Sequence, residues 1–287
     1  MKLGEVTAVD LAARMVETSH GVKYQGDIIA LAAGSQPNFF GTPGADKHAF
    51  PLYSLQDAEL LRSRILEVLE SADRDPSLIE KGALNFVIVG AGPTGTEMAG
   101  ALGDMIQRAL KEEYRDLDLS KARVVLVDMV PSVLGAFSQS SQEYASKILK
   151  EHDVHTHLGV AVKEVTPDHV LLSDGARIPT RTVVWAGGLK ASSLSANLSI
   201  APGRGSRIDV QPDFSVKGFD NVYALGDFAN IVGKDGKTLP QLASVAEQAG
   251  KYCAKNIATK LSGESGRPFD YFDKGVMAII GRNAAVA

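Results

Sequence analysis

Cysteine is nearly absent: Cys253 is the one thiol in 287 residues. A single cysteine excludes a disulfide framework and a C-x-x-C redox pair, and its apolar helical setting, Tyr252-Cys253-Ala254, reads as a packed side chain rather than a reactive one. Long apolar runs are missing as well. No window approaches the roughly 18 apolar residues that a membrane-spanning helix needs, and no apolar stretch follows the opening M-K-L-G-E-V, so no signal peptide is expected. Nor is there a large charge of one sign: the formal net charge is −4 without a basic stripe, so nucleic acid is not an expected partner. G-x-S-x-G and a Ser-His-acid signature are also lacking. His152, His155 and His157 are close in sequence, but no cysteine lies near and Glu151 and Asp153 sit on a polar turn. No metal is expected there, and the three histidines are assigned to an exposed edge or a helix end.

What is present centres on residues 84–100, L-N-F-V-I-V-G-A-G-P-T-G-T-E-M-A-G. An apolar, β-branched run over 86–89 meets Gly90, Gly92 and Gly95 and then a helical pattern, the order strand, tight turn, helix. The first glycine permits the turn, the second lets a pyrophosphate approach the backbone, and the third lets helix and strand pack closely. Unpaired N–H groups of the first helical turn would then face the phosphates. Met98, Leu102, Met105, Ile106, Ala109 and Leu110 recur at three- and four-residue spacing, which predicts one buried helix face. A second strand over 123–128 ends in Asp128, where a nucleotide fold needs a carboxylate for the ribose 2′-OH. Asp128 lies 38 residues past Gly90, against about 20 in the usual pattern; the polar piece 112–121 accounts for the excess as a helix extension and loop. An acid at this place argues against NADPH, whose 2′-phosphate it would repel.

Before this stretch, residues 5–25 read as short antiparallel strands and 27–33 as a buried strand that lacks an earlier parallel partner. Residues 35–44, rich in Pro and Gly, read as a crossing loop. Ser54-Leu55-Gln56-Asp57 is a capping box for a helix burying Leu61, Ile65 and Val68, and 73–82 is a linker. After Asp128 a helix over 140–150 is expected to bury Tyr144, Ile148 and Leu149. Short strands near 154–157 and 161–165 follow, then a hairpin turning at Ser173-Asp174-Gly175. A buried strand over 182–186, with Trp185 in the core, is closed by Gly187 and Gly188, a pair suited to close approach of a ligand at the carboxyl end of a parallel strand.

A second informative place is N-V-Y-A-L-G-D over 221–227. A short strand ends in Gly226-Asp227, a carboxylate suited to ribitol or ribose hydroxyls. L-P-Q-L-A then opens a helix to about residue 261, with Pro240 just ahead of its start, and Ala243, Ala246, Ala249 and Gly250 leave room for something flat. A second cofactor and a plain strand, loop and helix closing a domain are both consistent with this pattern.

Seven stretches in order carry a family resemblance: G-E-V-T-A-V-D-L, P-L-Y-S-L-Q-D-A, V-G-A-G-P-T-G-T-E-M-A-G, T-V-V-W-A-G-G-L-K-A-S, V-Y-A-L-G-D, L-P-Q-L-A-S-V-A-E-Q-A-G and K-G-V-M-A-I-I-G-R-N-A-A-V-A. Together they resemble type II NADH dehydrogenase, the FAD-dependent, non-proton-pumping NADH:quinone oxidoreductase. The resemblance implies hydride transfer from NADH to FAD and then two electrons to a membrane quinone. It implies that Gly90, Gly92, Pro93, Gly95 and Asp128 hold NADH, that Gly226 and Asp227 meet the FAD ribitol and pyrophosphate region, and that Gln241, Leu242 and Ala243 meet its isoalloxazine. Glu97 would lie near nicotinamide and flavin, and Gln248 falls where the family has a quinone-site glutamine; these two are the expected catalytic residues. The family's own N-terminal GxGxxG for FAD and its C-terminal membrane-binding region are not found in these residues. Ala33-Gly34 stands for Thr-Gly, and Ser244 for a usual glutamine.

The expected fold is α/β: two Rossmann-like doubly wound domains, the NAD domain inserted in a truncated FAD domain. Its parts are a partial FAD domain at 1–50, a helix and linker at 51–82, the NAD(H) domain at 83–189, the second FAD segment at 190–260 and the start of a C-terminal domain at 261–287. The expected setting is cytoplasmic, with peripheral contact on the inner membrane face expected of the full-length relative, and a homodimer is one expectation. Two other functions stay open: a pyridine-nucleotide disulfide-type reductase, disfavoured by the missing cysteine pair, and an NADH-binding module without turnover.

Overall fold

β-Branched side chains lose little freedom on a pleated strand and more in a helix, and the run N-F-V-I-V forms the strand Asn85–Val89. It is the middle of a five-stranded parallel sheet in the computed structural model, which describes residues 1–287. The strands lie in the order Ala49–Pro51, Thr182–Trp185, Asn85–Val89, Arg123–Asp128 and Val154–Leu158. Register pairs Trp185 with Val89, Val89 with Val127, and Val127 with His157, so several strand ends fall at one edge.

Alternation along these strands divides two cores. Phe86, Ile88, Val124, Leu126 and Val184 face one layer, which holds Leu61, Leu69, Leu102 and Leu149 from three helices. Val87, Val89, Val125, Val127, Val183 and Trp185 face the other. That second layer is an antiparallel sheet of Val162–Val165, His169–Leu172 and Arg177–Pro179, from which Val165, Val170 and Leu172 contribute. The three central strands are apolar on both faces because both are covered.

The helix Leu55–Arg74 starts where its capping box demands: Ser54 accepts from the Asp57 N–H while Asp57 accepts from the Ser54 N–H. Replacing its fully buried Leu69 by Ala would cost about 2–5 kcal/mol.

The chain divides into two compact units, Met1–Gln36 with Leu189–Lys274, and Pro37–Gly188 with Gly275–Ala287. The first contains the antiparallel meander Val6–Asp10, Met15–Thr18, Lys23–Gln25, and a parallel pair, Ile29–Leu31 with Val222–Ala224. The helix Ala243–Leu261 buries Val245, Ala249 and Cys253 in the same core. Phe214, Tyr252 and Phe269 close it with ring centroids 4.9 to 5.6 Å apart. No helix is long and apolar enough to cross a membrane.

The α/β class agrees with the sequence reading; several local expectations do not. The helix after the glycines ends at Gln107, because Arg108 leaves helical geometry at φ −118° and ψ −72°, and Ala109–Glu113 starts a new turn with Ala109 exposed. Of the residues expected to be buried in the helix Gln139–Glu151, Leu149 is buried and Ile148 partly so, but Tyr144 is exposed and Ala145, one step round the face, takes its place. The expected loop at 35–44 holds a short strand, Ser35–Pro37, and the linker at 73–82 holds a helical turn, Ser77–Glu80, started by Pro76 at φ −58°. The strand Ile29–Leu31, for which no earlier parallel partner is expected, pairs with a later one, Val222–Ala224.

Candidate functional site

Three glycines shape the turn after Asn85–Val89, and their surroundings differ. Gly90 sits at φ +110°, and a Cβ on it would run into the Ala186 carbonyl. A Cβ on Gly95 would collide with the Gly90 carbonyl oxygen, so helix and strand approach as closely as backbone allows. Gly92 has φ −71° and ψ −174°, which any residue can adopt, and a Cβ there would meet nothing within 4 Å. The protein itself therefore needs glycine at 90 and 95 but not at 92. Open space at Gly92 adjoins the N-terminus of the helix Pro93–Gln107, whose first residue is a proline that lacks an N–H in any case.

Asp128 does more than end a strand. Its Oδ2 accepts the Ala91 N–H at 2.6 Å and its Oδ1 accepts the Val130 N–H at 3.0 Å, so the carboxylate spans the glycine turn and its own loop. A carboxylate oxygen has two lone pairs, and each here retains capacity for a hydroxyl donor. Beside it lies a cavity of about 340 Å³ lined by Gly90, Asp128, Met129, Trp185, Gly187 and Phe40 among others. It opens at the carboxyl ends of three parallel strands, where open α/β sheets hold ligands.

Gly187 lines the cavity's edge, and Gly188 follows it in the chain. A Cβ on Gly187 would lie 3.2 Å from Trp185 Nε1, and Gly188 adopts φ +128°. The Trp185 Nε1–H donates to the Asn38 carbonyl at 2.8 Å, and the Asn38 N–H donates to Gly188 at 3.0 Å. Asn38 was not singled out in the sequence, yet it fastens this edge.

Glu97 is half-buried, and its Oε1 accepts the Ile279 N–H at 3.0 Å. It thereby ties the glycine-rich helix to the hairpin Ala278–Ile279 with Ala285–Val286. Gly100 and Gly103, also missed, let that helix be approached: a Cβ on Gly100 would be 2.8 Å from the Gly281 N, and one on Gly103 would be 2.9 Å from His152 Cβ. Their visible signal was a second small-residue spacing, G-x-x-G, inside the helix. His152 is accordingly packed, its side chain 11% exposed, while His155 on the adjoining strand is exposed.

In the other unit the structure joins Gly226, Asp227 and Gln241. Gly226 turns at φ +65°, Asp227 Oδ2 accepts the Ser35 hydroxyl at 2.8 Å, and the Asp227 carbonyl accepts Gln241 Nε2 at 3.1 Å. Leu242 is the N-cap of the helix Ala243–Leu261, and Ala243 is exposed at its start. Ser35 is the member that sequence reading missed. Further along this helix both ends of the Gln248 amide bind the Phe272 backbone, Nε2 to its carbonyl at 2.9 Å and Oε1 from its N–H at 3.0 Å. Ser244 pairs with the Tyr271 hydroxyl at 2.9 Å.

Burial, reinforced by Asp213, pushes the Cys253 thiol up to about 11. A neutral, buried thiol is a poor nucleophile, which agrees with a packing role. Burial also lowers the Arg207 pKa, opposed by the neighbouring carboxylates of Asp227 and Asp209.

The sequence pattern of the pyridine nucleotide-disulphide oxidoreductases matches residues 1–250. The chain is 37% identical over 301 residues to the type II NADH:quinone oxidoreductase Ndh of Mycobacterium tuberculosis, a match covering 99% of this chain and 64% of that protein. It therefore spans less than two thirds of that relative's length. Against the type II NADH:quinone oxidoreductase of Staphylococcus aureus identity is 31% over 290 residues, covering 98% and 70%. Among solved structures, NDH2 from Plasmodium falciparum in complex with NADH superposes with a TM-score of 0.89 at 18% identity, covering 98% of this chain and 74% of that one, a likeness of fold. With residues 1–250 matched to the family pattern and the glycine turn and its acid built as such a fold requires, the chain belongs to the pyridine nucleotide-disulphide oxidoreductase family, among its type II NADH:quinone oxidoreductases.

Proposed function

We propose that this chain carries the NADH and flavin sites of an FAD-dependent NADH:quinone oxidoreductase, with the NAD(H) domain at 83–189 and FAD segments at 1–50 and 190–260. The observation that carries the reading is the contrast at the turn: Gly92 is open where a pyrophosphate would lie, and Asp128 stands beside it with acceptor capacity left. The residues fit the dinucleotide. Gly92 leaves room for its phosphates at a helix N-terminus, Asp128 accepts ribose hydroxyls and repels a 2′-phosphate, and Trp185 supplies an apolar wall that excludes water. For FAD the fitting residues are Asp227, Gly226 and the helix start at Leu242 and Ala243.

NADH brings the hydride and FAD supplies an acceptor able to pass electrons on to a quinone. No side-chain acid is needed for that transfer, so the protein's part is binding and orientation. Glu97 has a positioning role in this reading, holding the helix against Ile279. Gln248 reaches a quinone by giving up one of its two bonds to Phe272. A homodimer attached peripherally to the inner membrane face completes the proposal.

Trp185 is the one tryptophan and lines the cavity, so its emission is a built-in reporter of NADH binding. Titration with NADH should quench it, and the visible flavin band of the purified or FAD-supplemented chain should bleach on anaerobic NADH. Quenching without any flavin band would reduce the chain to an NADH-binding module; no quenching would refute the dinucleotide site.

A further inference from the structure

Phe39 and Phe40 are neighbours in opposite environments. Phe39 packs against Trp185, ring centroids 5.6 Å apart. Phe40 is 66% exposed and adopts φ +52°, a left-handed conformation uncommon for a bulky residue. Burial gives it almost nothing in return for the strain.

Its loop is nevertheless fastened. The Phe40 N–H donates to Asn38 Oδ1 at 3.0 Å and the Thr42 N–H to the Phe39 carbonyl at 2.9 Å. Asn38 is held in turn by Gly188 and by the Trp185 indole. The Phe40 ring is thus presented by a fixed backbone, and it forms part of the wall of the cavity that contains Gly90, Asp128 and Gly187. The ring end lies beside the Gly188 backbone: a Cβ placed there would be 3.6 Å from Phe40 Cζ, an ordinary van der Waals contact. Met129, 73% exposed, is a second apolar side chain lining the same cavity.

Strained residues that the surroundings over-determine cluster at ligand clamps, and a flat ring stacks on any heteroaromatic base. We propose that the Phe40 ring is a stacking wall for an aromatic base of the bound dinucleotide, held out by its loop before the ligand arrives. The inference rests on the dinucleotide reading above. Both ends of NADH offer such a base, adenine and nicotinamide, and the stacking chemistry is common to them.

Calorimetric titration of the full chain with NADH, ADP-ribose and reduced nicotinamide mononucleotide tests it, alongside thermal melting. Glycine accepts φ +52° without strain, so Phe40→Gly should melt at or above the wild-type temperature yet bind NADH about tenfold or more weakly. The loss should recur with the fragment carrying the stacked base and not with the other. Phe40→Tyr should bind as wild type does, while Phe40→Leu, apolar but without a π face, should stay weak. Unchanged NADH affinity in Phe40→Gly would overturn the proposal. So would a fall in melting temperature matching the loss of affinity, or full affinity in Phe40→Leu. A wild-type chain with no affinity for NADH would overturn the dinucleotide reading and this inference with it.

Discussion

Asp128 ends a parallel strand and Asp227 follows one by three residues, each beside a glycine-containing turn, and they are held by different means. Asp128 is gripped by two main-chain N–H groups, those of Ala91 and Val130. Asp227 is gripped by a side chain, the Ser35 hydroxyl, while its own carbonyl receives Gln241. The sheets behind them differ likewise. Five strands in continuous register stand behind the first turn, and a single parallel pair behind the second, where the core relies on the Phe214, Tyr252 and Phe269 cluster. Where backbone packs on backbone, as at Gly90 and Gly95, no atom can be added; a turn built by side chains can be altered a piece at a time.

The largest effect separating the two should come from Gly95→Ala. Its methyl would press on the Gly90 carbonyl, backbone against backbone, at a cost of about 3 kcal/mol. A clear drop in melting temperature with loss of Trp185 quenching is expected, and wild-type melting would refute a backbone-built turn. Gly92→Ala should do the reverse, leaving stability within about 0.5 kcal/mol while weakening NADH binding about ten- to a hundredfold, one to two steps of 1.4 kcal/mol. Unfolding of that variant would show that the open space beside Gly92 is illusory.

Asp128→Asn leaves a single acceptor oxygen for two N–H groups, so about 1–3 kcal/mol of stability should go. NADH titration should weaken, and discrimination against NADPH should relax because the repelling charge is gone. Asp227→Asn is expected to cost about 1 kcal/mol and to impair FAD reconstitution while Trp185 quenching by NADH persists. Equal loss of both signals would erase the distinction between the two turns.

Absent at neutral pH, and so last, is an alkaline effect confined to the unit holding Asp227. Burial raises the folded Cys253 pKa from 9.0 to about 11, so the folded state keeps its proton longer than the unfolded one. Stability from this group is complete below about pH 9 and is lost as pH rises towards 11. Denaturant melts in that range should be less pH-dependent in Cys253→Ala.

Patterns confined to one element were legible. The run N-F-V-I-V, the three glycines and the amphipathic spacing of Leu102 and Ile106 located the strand, turn and helix, and the capping box at Ser54 located the start of another helix. Limits came where one residue's backbone geometry overrode a period. Arg108 broke a helix whose apolar spacing continues through Leu110, and Tyr144 lay one step off the buried face taken by Ala145 and Leu149. At the candidate sites the residue types were readable, but partners such as Asn38 and Ser35 were not, since a lone Asn or Ser in a loop carries no periodic signal.

What the sequence determined alone is the local chemistry: a turn only glycine can make, a helix start able to face an anion, and a carboxylate at the end of the next strand. These follow from steric and hydrogen-bonding rules acting over a few residues. Tertiary structure decided which glycine serves the protein and which leaves open space, and it chose the partners Glu97 with Ile279, Trp185 with Asn38, and Asp227 with Ser35. Those pairs are separated by 182, 147 and 192 positions. Contacts of that range form only when whole sheets and helices pack, because the positions of both partners are set by burial elsewhere in the fold.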